Sequence, residues 1–189
     1  MKFKVSMSPA TIILLLCMVA TTPFSQLSAY LCAAALHEFG HIAAAKALSI
    51  DLSQIKLDVL GARLSTTGRL HSYPSLVMLC LSGPLVNLIC FVIAIPLGNI
   101  SPWFTELCLA SISLGVLNLI PIDGFDGGRI LHGILCKILP LDTAERATRS
   151  LSFFCLLLLW MISVWLLLRT GSSLTLFVFS CYLFGMLFL

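Results

Sequence analysis

The chain predicts an all-α polytopic membrane protein of about six transmembrane helices, with a short membrane-associated β-hairpin between the second and third. Of its 189 residues 59% are hydrophobic and only 10% charged, with a mean hydropathy of +1.07, which excludes an ordinary water-soluble domain. No charged residue occurs from Val5 to Leu36, a run long enough for two closely spaced spans that part near Thr21-Thr22-Pro23. The basic residues are also divided unevenly between alternate loops, as they are in chains that cross a bilayer several times.

The later spans follow from apolar length. They are expected at Tyr73 to Leu97, Phe104 to Ile120, Leu151 to Leu168 and Leu174 to Leu189. A single integral membrane domain, 1–189, is expected, with a core at about 28–135 and additional helices at about 8–25, 151–168 and 174–189. With the N-terminus in the cytoplasm, Lys2, Lys4, Lys46, Lys56, Arg63, Arg69, Arg129, Lys137, Arg146 and Arg149 all fall inside, and Arg169 alone falls outside. The net charge of +3 reflects this asymmetry, and no soluble basic face calls for a nucleic-acid partner. Lys2, Lys4 and the apolar run from Ile12 to Ala20 also fit a secretory signal, and loop charges do not decide whether that segment is retained.

Between the second and third spans, Ile55, Leu57 and Val59 alternate with Lys56 and Asp58, and Gly61 can turn the chain before Ala62-Arg63-Leu64. That pattern predicts a hairpin, whose edge either closes the helical bundle or receives an extended segment of another chain. The third span carries Ser82-Gly83-Pro84-Leu85-Val86-Asn87. Gly83 allows close helix approach, and the Asn87 amide must find a partner, for which a helix-to-helix hydrogen bond is favoured over direct catalysis. The fourth span ends in Asn118-Leu119-Ile120-Pro121-Ile122-Asp123-Gly124-Phe125-Asp126-Gly127-Gly128-Arg129, where one proline and three glycines forbid a continuous helix. Irregular backbone at membrane depth belongs in a protein-lined or wet cavity, so this loop is a site candidate. The apolar stretch Ile130 to Leu139 is too short to span.

The chemistry centres on His37-Glu38-Phe39-Gly40-His41. Histidines four apart lie on one helix face and can ligate one zinc ion, and Glu38 can serve as base toward a water on that ion. Such a site needs a third protein ligand. Asp123 and Asp126 reach the same side of the membrane as His37 and His41 under the charge assignment, and a carboxylate at that depth wants a metal or a partner. Gly127-Gly128 favours Asp126, and Asp123-Gly124 has the look of an ordinary turn, without deciding between them. The eight cysteines form no C-x-x-C pair and are read as packing residues; Cys32 lies off the His37 face. His71 and His132 are read as interfacial polar residues and Arg129 as a headgroup anchor.

Taken together, His37-Glu38-x-x-His41, Gly83-Pro84-x-x-Asn87 and Asn118-x-x-Pro121 with Asp126-Gly127-Gly128 resemble, in order, the three motifs of the site-2 protease family of intramembrane zinc metalloproteases. The resemblance covers about residues 28–135 and is greatest to the small six-span group that includes the stage IV sporulation FB proteases. It implies one zinc held by His37, His41 and Asp126, Glu38 as catalytic base, and Asn118 and Asn87 as candidates for contact with the substrate or oxyanion. Where many members have a second proline, this chain has Asp123, and no PDZ or CBS domain is expected within these residues. The implied activity is regulated intramembrane proteolysis of transmembrane or membrane-inserted proteins, in a bacterial cell membrane, with the active site toward the cytoplasm. A regulatory membrane partner or a homo-oligomer is left open. The alternatives are a catalytically silent zinc-binding membrane protein that holds or regulates clients, against which the intact Glu38 speaks, and a transporter, for which no polar path crosses the membrane.

Overall fold

The structure, a computed structural model, describes residues 16, 18, 19, 22–50, 52–58, 61–66, 73–171 and 174–188. Two compact units divide the chain, Met1–Leu119 and Ile120–Leu189.

In the first unit, helix α1 (Phe24–Ala47) is followed by strands β1 (Leu52–Asp58) and β2 (Gly61–Thr66) and by helices α2 (Tyr73–Leu97) and α3 (Pro102–Leu119). Residues four apart share one side of a helix, and α1 buries such a series: Ala29, Ala33, His37, His41 and Ala45. The alanines at the start of this stripe let α3 approach closely, and Ala29, Ala33, Leu107 and Ala110 form the core there. Trp103 Nε1 donates to Ser28 Oγ at 2.9 Å, and Ser25 donates to the Glu106 carboxylate, so α1 and α3 are also tied by polar contacts at this end. The packing stripe therefore continues directly into the stripe that carries the two imidazoles.

The strands pair antiparallel, with Ile55 opposite Leu64, Lys56 opposite Arg63 and Asp58 opposite Gly61, and an irregularity between Leu52 and Gln54. Alternation of apolar and polar residues there is the period-two signal of a strand.

The second unit begins with the irregular segment before α4 (Asp126–Leu135) and continues through α5 (Leu141–Thr170) and α6 (Leu174–Phe188). Gly124 takes φ 100°, a left-handed conformation that glycine adopts without the Cβ penalty, and this turn delivers the chain into α4. Ser152, fully buried in α5, anchors the segment: its hydroxyl accepts the Asp123 N–H at 2.8 Å and lies 2.8 Å from the Thr148 carbonyl. Ser163 and Ser180, both fully buried, pair at 3.0 Å between α5 and α6, and Phe125 stacks with Phe179.

Two corrections to the sequence-based fold class follow. Among the described residues three helices, α2, α3 and α5, are long and apolar enough to cross a membrane, in place of about six spans. The reasons are local. His37, Glu38, His41 and Lys46 lower the apolar character of α1 below that of a simple span although its 24 residues would suffice in length. Helix α6 has 15 residues, or roughly 22 Å against a hydrocarbon core of about 30 Å. The helix expected at about 8–25 lies almost wholly outside the described residues. The second correction concerns class: with two paired strands the chain is not all-α, and backbone pairing is no ground for calling the hairpin membrane-associated. Helix α5 also starts ten residues before the span expected from Leu151, because Asp142 to Arg149 continues the helix as a charged, water-compatible extension.

Gly128 offers a stability test within the second unit. A Cβ there would run into the Ile122 carbonyl oxygen and carbon, both backbone atoms with no freedom to give way, whereas a Cβ at Gly185 meets nothing within 4 Å. Gly128→Ala is expected to destabilise the protein by about 1–3 kcal/mol and Gly185→Ala to leave stability within about 0.5 kcal/mol, read as thermal unfolding in detergent.

Candidate metal centre

The imidazoles of His37 and His41, one turn apart on α1, are both buried and bring their Nε2 atoms to 3.1 Å from each other. Two nitrogens on one tetrahedral zinc, each at about 2.0–2.1 Å, would be separated by roughly 3.3 Å. The pair is thus spaced for a shared ion. What faces the other side of each ring matters equally, because a ligating histidine must carry its proton on the nitrogen turned away from the metal. His41 Nδ1 lies 2.9 Å from the Leu79 carbonyl, and His37 Nδ1 lies 3.2 Å from the side-chain amide of Asn87. Both contacts come from α2.

Close approach of α1 and α2 makes these contacts possible. A Cβ at Gly40 would lie 2.7 Å from the Ser82 carbonyl oxygen, and one at Gly83 would lie 2.5 Å from His41 Nε2 and 2.8 Å from His37 Cε1. Gly83 sits against the two rings where any side chain would displace them. Glu38, beside His37 on α1, is partly exposed.

In the second unit Asp126 is the first residue of α4 and is 5% exposed, while Asp123 is exposed and its backbone is tied to Ser152. The N-terminal end of a helix dipole favours a carboxylate in the first turn, where Asp126 stands. Each unit thus offers buried side chains of the kind that ligate a metal ion, His37 and His41 in the first and Asp126 in the second.

Asn118 is half-buried on α3, and its amide donates to the Leu114 carbonyl one turn earlier at 3.0 Å. Asn87 is fully buried against His37, which is the helix-to-helix hydrogen bond its position in the third span leads one to expect. His132 pairs with Cys136 on α4 at 3.5 Å, and His71 lies outside the described residues. The sequence pattern missed two contributors, the Leu79 carbonyl and Ser152. A carbonyl has no residue signature, but a serine in the midst of Leu151-Ser152-Phe153-Phe154 was a polar signal in an apolar run.

Known proteins bear on this arrangement. The sequence model of peptidase family M50 matches residues 95–162. Zinc metalloprotease MJ0392 of Methanocaldococcus jannaschii is 33% identical over 117 residues, which cover 54% of this chain and 32% of that protein. The solved structure of a site-2 protease from Methanocaldococcus jannaschii superposes with a TM-score of 0.72 at 21% identity, over 99% of this chain and 90% of the other, and so shows the same fold. The chain is thus similar to peptidase family M50 over that stretch and shares the fold of a site-2 protease. It spans about a third of the length of the curated relative it matches. Among the described residues, three helices are long and apolar enough to cross a membrane, which suits an integral membrane protein.

Because Gly83 borders His41 Nε2 so closely, Gly83→Ala is a sharp probe of the site. It should cut zinc uptake by the purified protein at least tenfold even though alanine is the better helix former, and elemental analysis against wild type checks this.

Proposed function

We propose that this chain is a member of the site-2 protease family, an intramembrane zinc endopeptidase that cuts transmembrane or membrane-inserted proteins. The convergence of His37 and His41 Nε2 atoms, with each Nδ1 turned to an α2 partner, carries the reading. A structural site would have no use for Glu38 beside such a pair, which disfavours a catalytically silent zinc-binding protein.

In this reading His37, His41 and Asp126 hold one zinc ion, within a catalytic core at about residues 28–135. A bound zinc supplies a strongly acidified water and polarises the scissile carbonyl. Glu38 takes the proton from the attacking water and hands it to the departing amine as the peptide C–N bond breaks. Asn118 supplies an amide N–H to the substrate backbone or to the developing oxyanion; its carboxamide has a second hydrogen beyond the one given to Leu114. A substrate helix must unwind locally to expose its carbonyl, so helices with glycine or proline near the cut site are the better substrates. The extended segment pairs with the edge of the β1–β2 hairpin. Orientation follows the basic residues: N-terminus, hairpin and the start of α5 on the cytoplasmic side of a bacterial cell membrane, with cleavage toward that side.

Co-expression with single-span membrane proteins tests the activity. Glu38→Gln should retain zinc and lose cleavage by at least 100-fold, whereas His37→Ala and His41→Ala should lose both metal and cleavage. Asp126→Asn should weaken zinc binding and abolish hydrolysis, Asp123→Asn should leave most activity, and Asn118→Ala should retain zinc with reduced turnover. Equal cleavage by Glu38→Gln would remove Glu38 from the chemistry. If Asp123→Asn strips the metal and Asp126→Asn does not, the third ligand has been misassigned.

Topology has its own test. Single cysteines placed at Arg63 and Arg146, in a background freed of native cysteines, should resist an impermeant thiol reagent in intact cells and react after lysis. Labelling of intact cells would turn the active site toward the opposite face.

A further inference from the structure

Asn87 is 0% exposed, and its side-chain oxygen has no hydrogen-bond partner among the described residues, while its amide nitrogen stands 3.2 Å from His37 Nδ1. A buried carbonyl oxygen without a donor is destabilising by a few kcal/mol, and more so among apolar helices than near water. The two ends of a carboxamide exchange places by a half turn about the Cβ–Cγ bond. A histidine that turns Nε2 and its lone pair toward a metal carries its proton on Nδ1 and needs an acceptor there. Asn87 has one side-chain acceptor, the oxygen otherwise left without a donor.

Resting on the metal reading above, we infer that Asn87 is a positioning residue for the zinc site. Its oxygen accepts the His37 Nδ1–H, which holds the imidazole in the tautomer and orientation that present Nε2 to zinc. His41 is held in the same way by the Leu79 carbonyl, 2.9 Å from its Nδ1. Leu79, Gly83 and Asn87 lie four apart on one face of α2, giving an acceptor, an open space for both rings and a second acceptor in successive turns. Asn87 itself is too deeply buried to meet a peptide, so its influence on turnover passes through His37.

The test uses the full chain in detergent micelles and measures zinc affinity by chelator competition, with the visible absorption of the cobalt-substituted protein as the signature of ligand geometry. Asn87→Leu, similar in size and without an acceptor, should bind zinc 10–100-fold more weakly and alter the cobalt spectrum. Asn87→Asp, which accepts the same proton, should restore affinity to within a few-fold of wild type. Should the leucine variant fail to fold, nitrogen NMR settles the matter on a protein with Asn87 in place. With His71 and His132 replaced by glutamine, both remaining histidines should show a protonated Nδ1 and a metal-bound Nε2. Wild-type affinity and spectrum in Asn87→Leu, or an unprotonated His37 Nδ1, would overturn the inference while leaving the protease reading intact. Failure of the wild type itself to take up zinc would overturn both.

Discussion

Everything proposed for this protein depends on how closely α1 and α2 cross. The separation is limited at two points, Gly40 of α1 against the Ser82 carbonyl and Gly83 of α2 against the imidazoles. In lipid no hydrophobic drive pushes one apolar helix onto another, and close packing of small residues supplies much of the association. Here the glycines do more than allow contact. They bring a carbonyl and a carboxamide of α2 within hydrogen-bonding range of rings that α1 would otherwise expose to hydrocarbon. The crossing therefore stabilises the polar groups of α1 and orients them in the same step.

That coupling explains why α1 is less apolar than its neighbours without being out of place among them. Polar groups at membrane depth are tolerated when they face protein and are paired. His37 and His41 meet this condition through α2, and the Ser25 and Ser28 hydroxyls near the start of α1 meet it through Glu106 and Trp103 of α3. In the second unit the same rule governs the segment before α4, whose backbone at Asp123 is taken up by a serine buried within α5. Irregular chain in such surroundings persists because specific side chains satisfy it.

Much of the candidate site was legible because its residues are chemically conspicuous. His37, Glu38 and His41 announce themselves by spacing, and Asn87 by being an amide in an apolar run. The choice between Asp123 and Asp126 was open from spacing alone; their difference in burial, which depends on where the Gly124 turn and the start of α4 fall, could not be read there. The hairpin's period-two alternation was readable, but nothing in it says whether the hairpin lies against a membrane. The count of spans was the weakest reading. Hydropathy alone cannot distinguish a helix that spans from one such as α1, whose site residues break its apolar run, or α6, whose 15 residues fall short.

Pro84 lies inside α2, next to the glycine that meets the rings. In a helix interior proline removes a backbone donor and crowds the turn before it, and carbonyls near such a point tilt away from the helix axis. The Leu79 carbonyl, just before that turn, receives the Ser82 hydroxyl at 2.6 Å and the His41 ring at 2.9 Å. A carbonyl confined to the axial direction would serve its own helix first. Ser82 and Gly83 thus serve one crossing: the hydroxyl shares the Leu79 carbonyl with His41, and the glycine admits the rings. Asn87, one turn beyond the glycine, returns the face to side-chain chemistry. Because the three contact positions are four residues apart, rotating α2 by a single residue, about 100°, would turn all of them away together. The site is consequently sensitive to helix register as a whole, more than to any one of the contacts taken alone.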